Sequence, residues 1–134
     1  MKIKYLYENL QVFIIGALLY SGIEILFRSY THWTMFLTGG ICVVVLYNIF
    51  LRTKKMELWK KCFIGAGVIT IIEFLIGCIV NLHLDWNIWD YSRYHFNIAG
   101  QICLLFTLFW FILSAPMVWL TGQLKKITNS KLRF

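Results

Sequence analysis

The sequence predicts an all-α integral membrane protein with four transmembrane helices. Of its 134 residues, 60% are hydrophobic and only 14% are charged, which leaves more apolar surface than a soluble domain of this length can bury. Four apolar runs each have about 20 residues, the length that an α-helix needs to cross a bilayer. These runs lack the alternation of apolar and polar residues typical of membrane strands, so we expect helices.

The four predicted helices form a single membrane domain, residues 1–134. Their predicted bounds are 10–27, 33–51, 62–80 and 97–120. Between the third and fourth helices, residues 82–96 are predicted to form an outer loop that folds down over the bundle. Residues 121–134 are polar and basic, and we expect them to form a surface helix or a disordered end.

The basic residues predict how the helices are oriented. All of them except Arg28 and Arg93 lie before the first span, between the second and third, or after the fourth. The positive-inside rule therefore predicts cytoplasmic termini in a multi-pass protein of the cell inner or plasma membrane. Because the cations that give the net charge of +7 flank spans, membrane lipids are the expected partners and nucleic acid is not.

The two halves of the chain share a pattern. Residues 16–24 and 65–73 each begin with Gly-Ala and reach a glutamate eight residues after the glycine. Further on, Gly-Gly-Ile-Cys at 39–42 corresponds to Gly-Gln-Ile-Cys at 100–103. Each half contains two spans, so the pattern predicts two parallel two-helix repeats related by an axis along the membrane normal.

Two acidic residues in apolar helices are candidates for an inner polar site. Glu24 and Glu73 need a partner or a proton, because an ionised carboxylate is unfavourable in a membrane. Arg28 lies one turn beyond Glu24, whereas the matching position after Glu73 is Gly77. Glu73 is therefore predicted either to share Arg28 or to be protonated. The three residues form either a site for a polar ligand or proton, or an ion pair that only locks helix packing.

The outer loop and the start of the fourth helix contain further polar residues. Asn97 is predicted to be the N-cap of that helix, with Gln101 one turn inside it and pointing at the bundle. Asp90 is suited to capping a turn, and Trp89 and Tyr91 are expected among the aromatic residues at the membrane interface. Solvated loop residues are the alternative interpretation. The predicted outer wall of the site comprises Asp85, Asp90, Arg93, Asn97 and Gln101.

Catalytic and metal-binding patterns are weak in this sequence. It contains no serine-histidine-aspartate order, no His-Glu-x-x-His pattern, no phosphate loop and no Cys-x-x-Cys pair. The spacing of His32, His83, His95 and Asp85 is irregular for a zinc site. We therefore assign no catalytic residue, metal ligand or cofactor, and the sequence favours a protein that is not an enzyme.

Several motifs resemble one family of small bacterial membrane proteins. They are Glu73-Phe-Leu-Ile-Gly, Trp89-Asp-Tyr-Ser and the run from Gly100-Gln-Ile-Cys to Trp110, with Gly22-Ile-Glu24 in the first half. The chain resembles the proteins labelled putative ABC-transporter type IV permeases. That resemblance implies a multi-pass membrane component connected with transport.

The leading hypothesis is a transport-related or ligand-binding membrane component that carries a small polar or charged ligand in its intramembrane site. An intramembrane enzyme, or a structural or regulatory subunit of a larger membrane complex, remains an alternative. Because four helices enclose little volume and small-residue faces favour helix association, we expect a homodimer or a larger complex.

The predicted orientation can be tested at Met56, which lies between the second and third spans. In a variant without native cysteines, Met56→Cys should react with a membrane-impermeant thiol reagent only after cells are opened, because this loop is predicted to be cytoplasmic. Labelling of intact cells would contradict the orientation.

Overall fold

The computed structural model describes residues 2–29 and 32–131. Four long helices are present: α1 Lys2–Arg28, α2 Trp33–Arg52, α3 Leu58–Gly77 and α4 Leu104–Lys131. A π-helical turn, Cys78–His83, continues α3. Two short antiparallel strands precede α4, namely β1 (Asn97–Ile98) and β2 (Ile102–Cys103). The described part of the chain is thus mostly helical, and residues 84–103 are its longest non-helical segment.

All four helices contain segments long and apolar enough to cross a membrane. These segments are Ile3–Leu26, Trp33–Arg52, Leu58–His83 and Leu104–Ile127. The prediction of an all-α protein with four potential spans is therefore confirmed. The parallel repeat and the cytoplasmic termini stay predictions.

The helix bounds differ from the predicted ones mainly at the ends. α1 begins at Lys2 because residues 2–9 contain no proline or glycine that would interrupt a helix. α4 begins at Leu104 instead of residue 97, since residues 97–103 form the strand pair. It then continues to Lys131 through Pro116. The predicted tail is therefore part of α4, up to the last described residue.

The chain divides into two compact units, and the division in α4 falls after Pro116. The first unit contains the chain up to Lys55 and from Met117 onward, and the second contains residues 56–116. In the first unit, α1 and α2 form an antiparallel hairpin. The core beside it comprises Val12, Tyr47 and Leu124, and Leu124 belongs to the predicted tail.

Glycines allow α1 and α2 to approach closely. A Cβ atom on Gly16 would collide with Val43, and one on Gly39 would collide with Tyr20. A Cβ atom on Gly40 would likewise collide with the Phe13 ring. Small residues are used in this way in membrane helix pairs, where close packing supplies much of the association energy.

In the second unit, α3 packs against the first half of α4. The Phe63 and Phe111 rings meet edge to face with centroids 4.9 Å apart, and the hydroxyls of Thr70 and Thr107 are 3.1 Å apart. Residues 84–103, called the 84–103 segment below, fold onto this helix pair. Ile88, Trp89 and Tyr91 of the segment are buried.

The close α1–α2 packing predicts a specific effect of adding one methyl group. Gly39→Ala should lower the free energy of unfolding by about 1–3 kcal/mol, because the new Cβ overlaps the Tyr20 side chain. Gly67→Ala is a matched control on α3, since a Cβ there meets nothing within 4 Å. The control should be neutral or more stable by about 0.5–1 kcal/mol through helix propensity. Equilibrium unfolding in mixed micelles checks both variants, and equal stabilities would contradict the packing.

Candidate functional site

Glu73 is an acidic side chain enclosed within the apolar helix α3. Only 3% of its surface is exposed. The Tyr91 hydroxyl donates a hydrogen bond to Oε1 at 2.7 Å, and the Trp110 Nε1–H donates to Oε2 at 3.1 Å. Both carboxylate oxygens therefore accept a hydrogen bond, which offsets part of the unfavourable desolvation of a buried acid.

The local structure of residues 89–92 brings Tyr91 to Glu73. Trp89 and Tyr91 are 5% and 3% exposed, whereas Asp90 and Ser92 between and after them are exposed. The alternation turns the two aromatic rings toward the helices and the two polar side chains outward. Trp89 and Tyr91 are therefore internal residues of the unit, and their placement at the level of the membrane interface stays a prediction.

Asp90 holds the turn that produces this alternation. Its Oδ1 accepts a hydrogen bond from the Ser92 backbone N–H at 2.9 Å, as predicted for a turn-capping aspartate. This hydrogen bond, with a smaller effect from the Arg93 charge, lowers the pKa of Asp90 below its ordinary value. The contact is therefore fully present at neutral pH and weakens as the pH falls through that lowered pKa.

The Tyr91 ring is held by aromatic contacts as well as by its hydroxyl. It stacks on Phe106 of α4 with centroids 4.8 Å apart and an interplanar angle of 17°. Tyr94 packs edge to face against both rings. Phe106 lies one turn before Trp110, so the same face of α4 supplies a stacking surface for Tyr91 and a second donor for Glu73.

Asn81 ties the 84–103 segment to the end of α3. Its Oδ1 accepts from the backbone N–H of Ile88 at 2.6 Å and of Trp89 at 3.4 Å. Its Nδ2 donates to Oε1 of Gln101 at 2.8 Å. The Trp89 indole N–H in turn donates to the Gln101 backbone carbonyl at 3.0 Å. Asn81 lies in the π-helical turn, an element often found at functional positions.

Gly77 provides the space for this network. A Cβ atom at this position would lie 2.6 Å from Oε1 of Gln101 and 3.1 Å from the Trp89 ring. In the sequence, Gly77 occupies the position that matches Arg28, where Glu73 would otherwise have a local cation. The structure instead assigns it a steric role, because only glycine lets Gln101 and Trp89 approach the helix.

The sequence predicted Asn97 to be the N-cap of α4, and this prediction was wrong. It lies in β1, where its Nδ2 donates to the Tyr94 carbonyl at 2.9 Å and its Oδ1 accepts from the Gly100 N–H at 3.0 Å. The N-cap prediction failed because Ala99 and Gly100 adopt left-handed backbone, with φ of 55° and 71°, and turn the chain into a hairpin.

The other predicted site residues occupy different environments. Asp85, Asp90 and Arg93 are exposed, and Gln101 is buried. Glu24 is 6% exposed within the first unit. The side chain of Arg28 lies outside the described residues. Ligand binding by all of these residues, and the sharing of Arg28 with Glu73, therefore stay predictions.

A third buried glutamate, Glu8, was not predicted from the sequence. Glu8, 7% exposed, accepts a hydrogen bond from the Tyr47 hydroxyl and an ion-pair contact from Lys125 Nζ at 2.8 Å. Glu8 lay outside the first predicted span, and Lys125 lay in the predicted tail. Helical periodicity was the available signal, since Glu8 shares a face with Val12 and Lys125 follows the buried Leu124.

The histidines do not form a metal site in the described part of the chain. His32 Nδ1 accepts a hydrogen bond from the Thr34 backbone N–H at 3.2 Å and thereby caps α2. Within residues 2–29 and 32–131, no three His, Cys, Asp or Glu side chains group closely enough to hold a metal ion.

The family model described as putative ABC-transporter type IV matches residues 10–132. The match covers both units and confirms the resemblance seen in the motifs. No solved structure matches the chain.

The Tyr91 contact predicts a loss of stability on removal of one oxygen atom. Tyr91→Phe keeps the stacked ring but removes the hydrogen bond from the Tyr91 hydroxyl to Glu73 Oε1, which should cost about 1–3 kcal/mol of unfolding free energy. Tyr94→Phe is the matched control, because its hydroxyl makes no hydrogen bond with a described residue. The measurement is equilibrium unfolding of both variants in the same detergent, and equal losses would contradict the role of the Tyr91 hydroxyl.

Proposed function

We propose that the protein is a transport-related component of the bacterial plasma membrane with a polar intramembrane site at Glu73. The first support is its family, since the chain belongs to the family described as putative ABC-transporter type IV. One observation carries the proposal. A carboxylate that is 3% exposed within a potential span receives one hydrogen bond from the 84–103 segment and one from α4. Buried ionisable groups in spans are commonly functional.

The two residues that donate hydrogen bonds to Glu73 belong to different kinds of structural element. Trp110 belongs to a long helix, whereas Tyr91 belongs to a segment outside the helices. If the 84–103 segment moves away, Tyr91 moves with it and its hydrogen bond to Glu73 Oε1 is lost. The same oxygen could then bind a proton, a cation or a ligand that donates a hydrogen bond. The segment thus acts as a lid whose closure competes with ligand binding at Glu73.

Backbone strain in the 84–103 segment agrees with this role. Asp85, Asn87, Phe96 and Ala99 all have positive φ, between 51° and 57°, a conformation that costs free energy for residues with a side chain. Such strain is often concentrated in elements that switch between two arrangements. In this proposal, Asn97 and Gln101 maintain the closed shape, while Asp85, Asp90 and Arg93 form its charged outer face.

Glu24 and Arg28 of the first unit are proposed as further ligand-binding residues. Glu24 is a second buried carboxylate in a span, and Arg28 is one turn away in the sequence. Together they would offer both signs of charge to a small polar or charged ligand. A homodimer or a larger complex remains the proposed assembly.

The rival function is a structural or regulatory subunit. The closed hydrogen-bond network of Asn81, Trp89 and Gln101 favours it, because these side chains satisfy one another. The two functions differ in whether Glu73 ever becomes accessible. A structural network holds Glu73 closed permanently, whereas a ligand site requires the carboxylate to be reached.

Chemical modification of Glu73 tests the proposal. Dicyclohexylcarbodiimide is a hydrophobic reagent that reacts with protonated carboxyl groups, and peptide mass spectrometry locates the product. We expect slow modification of Glu73 in the wild-type protein in liposomes, faster modification at lower pH, and a several-fold higher rate in Tyr91→Phe. Tyr94→Phe should react at the wild-type rate, and Glu73→Gln identifies the modified peptide.

The contrary result is equally clear. If Glu73 stays unmodified in both the wild type and Tyr91→Phe across the pH range, while an exposed carboxyl such as Glu57 reacts, the lid does not open. That outcome would overturn the ligand-site proposal and favour the structural subunit.

A further inference from the structure

An apolar groove lies between α1 and α2 of the first unit. Its volume is about 280 Å³. Hydrocarbon side chains line most of it, from Leu6, Leu10, Phe13, Ile41, Val44 and Val45. Neither the Glu73 site nor the 84–103 segment takes part in it, since both belong to the second unit.

One end of the groove is polar. Tyr5 donates a hydrogen bond from its hydroxyl to Oδ1 of Asn48 at 2.9 Å, and Asn48 Nδ2 donates to Oδ1 of Asn9 at 2.9 Å. Asn9 also lines the groove. Its own Nδ2 donates to no described residue, so a hydrogen-bond donor is available at the edge of the groove, whose own surface is almost entirely apolar.

A cation follows one turn further along α2. Arg52 is the last residue of this helix and is four positions after Asn48, so both lie on one face about 6 Å apart along the helix axis. Arg52 is exposed and makes no ion pair with any described residue. From the end of α2 toward its middle, this face therefore presents first the Arg52 guanidinium, then the Asn48 and Asn9 amides, and then the hydrocarbon side chains of the groove.

We propose that this groove binds one anionic phospholipid. The lipid phosphate contacts the Arg52 guanidinium, an ester carbonyl accepts from Asn9 Nδ2, and an acyl chain lies in the hydrocarbon part of the groove. The three chemical groups of the lipid occur in the same order along the molecule as their partners along the helices. An apolar partner helix would satisfy the hydrocarbon part but neither the amide donor nor the cation.

Native mass spectrometry tests the proposal on the full-length protein. Delipidated protein is titrated with dioleoylphosphatidylglycerol or dioleoylphosphatidylcholine, which share acyl chains and differ in headgroup charge. The first lipid bound should be phosphatidylglycerol with about fivefold preference, the effect expected for one cation near an anionic lipid.

Paired variants separate the two parts of the site. Arg52→Gln should abolish the preference, whereas Lys126→Gln, which removes an exposed cation from α4, should keep it. Ile41→Trp fills the groove and should weaken the first binding event for both lipids. Leu37→Trp, one turn earlier on the exposed part of α2, should bind like the wild type.

Two results would overturn the proposal. The first is an equal affinity of the wild-type protein for both lipids. The second is phosphatidylglycerol binding that is unchanged in Ile41→Trp. If that variant also lost a dimer seen in the wild type, the groove would be an interface between two copies of the chain. Neither result bears on Glu73, so this inference and the proposed function fail separately.

Discussion

The buried carboxylate of Glu73 is the constraint on which the second unit depends. An acid inside an apolar helix must accept hydrogen bonds or take up a proton, because lipid supplies no donors. Tyr91 and Trp110 meet this requirement. Several other features of the unit are needed to position Tyr91 beside Glu73. They are the turn held by Asp90, the hydrogen bonds of Asn81, the left-handed backbone at Ala99 and Gly100, and the space left by the absence of a Cβ atom at Gly77.

The first unit meets the same constraint with different chemistry. Glu8 also accepts from a tyrosine hydroxyl, that of Tyr47, but its other donor is the charged amine of Lys125. The two donors described for Glu73 are neutral. The described contacts of the two buried carboxylates therefore differ in kind, since Glu8 pairs with a cation and Glu73 accepts from two neutral donors.

Hydropathy and helix length were sufficient to predict the four potential spans, because the cost of exposing backbone polar groups to lipid permits few alternatives. Local chemistry was sufficient for the Asp90 turn. The start of α4, the role of Asn97 and the cluster around Glu8 were not predicted. A left-handed backbone at Ala99 and a pairing between Glu8 and Lys125 depend on tertiary contacts, and neither leaves a signal in averaged hydropathy. The repeat and the ligand-binding residues stay predictions.

The central claim is that Tyr91 and Glu73 act as one energetic unit. A double-mutant cycle in a single membrane mimic measures this directly, with Glu73→Leu, Tyr91→Phe, the double variant and the wild type compared by equilibrium unfolding. A coupling free energy of about 1–3 kcal/mol is expected, because leucine has no acceptor and phenylalanine has no donor, so each single variant already breaks the shared hydrogen bond. Strictly additive losses would contradict it and would show that Tyr91 does not depend on the Glu73 carboxylate.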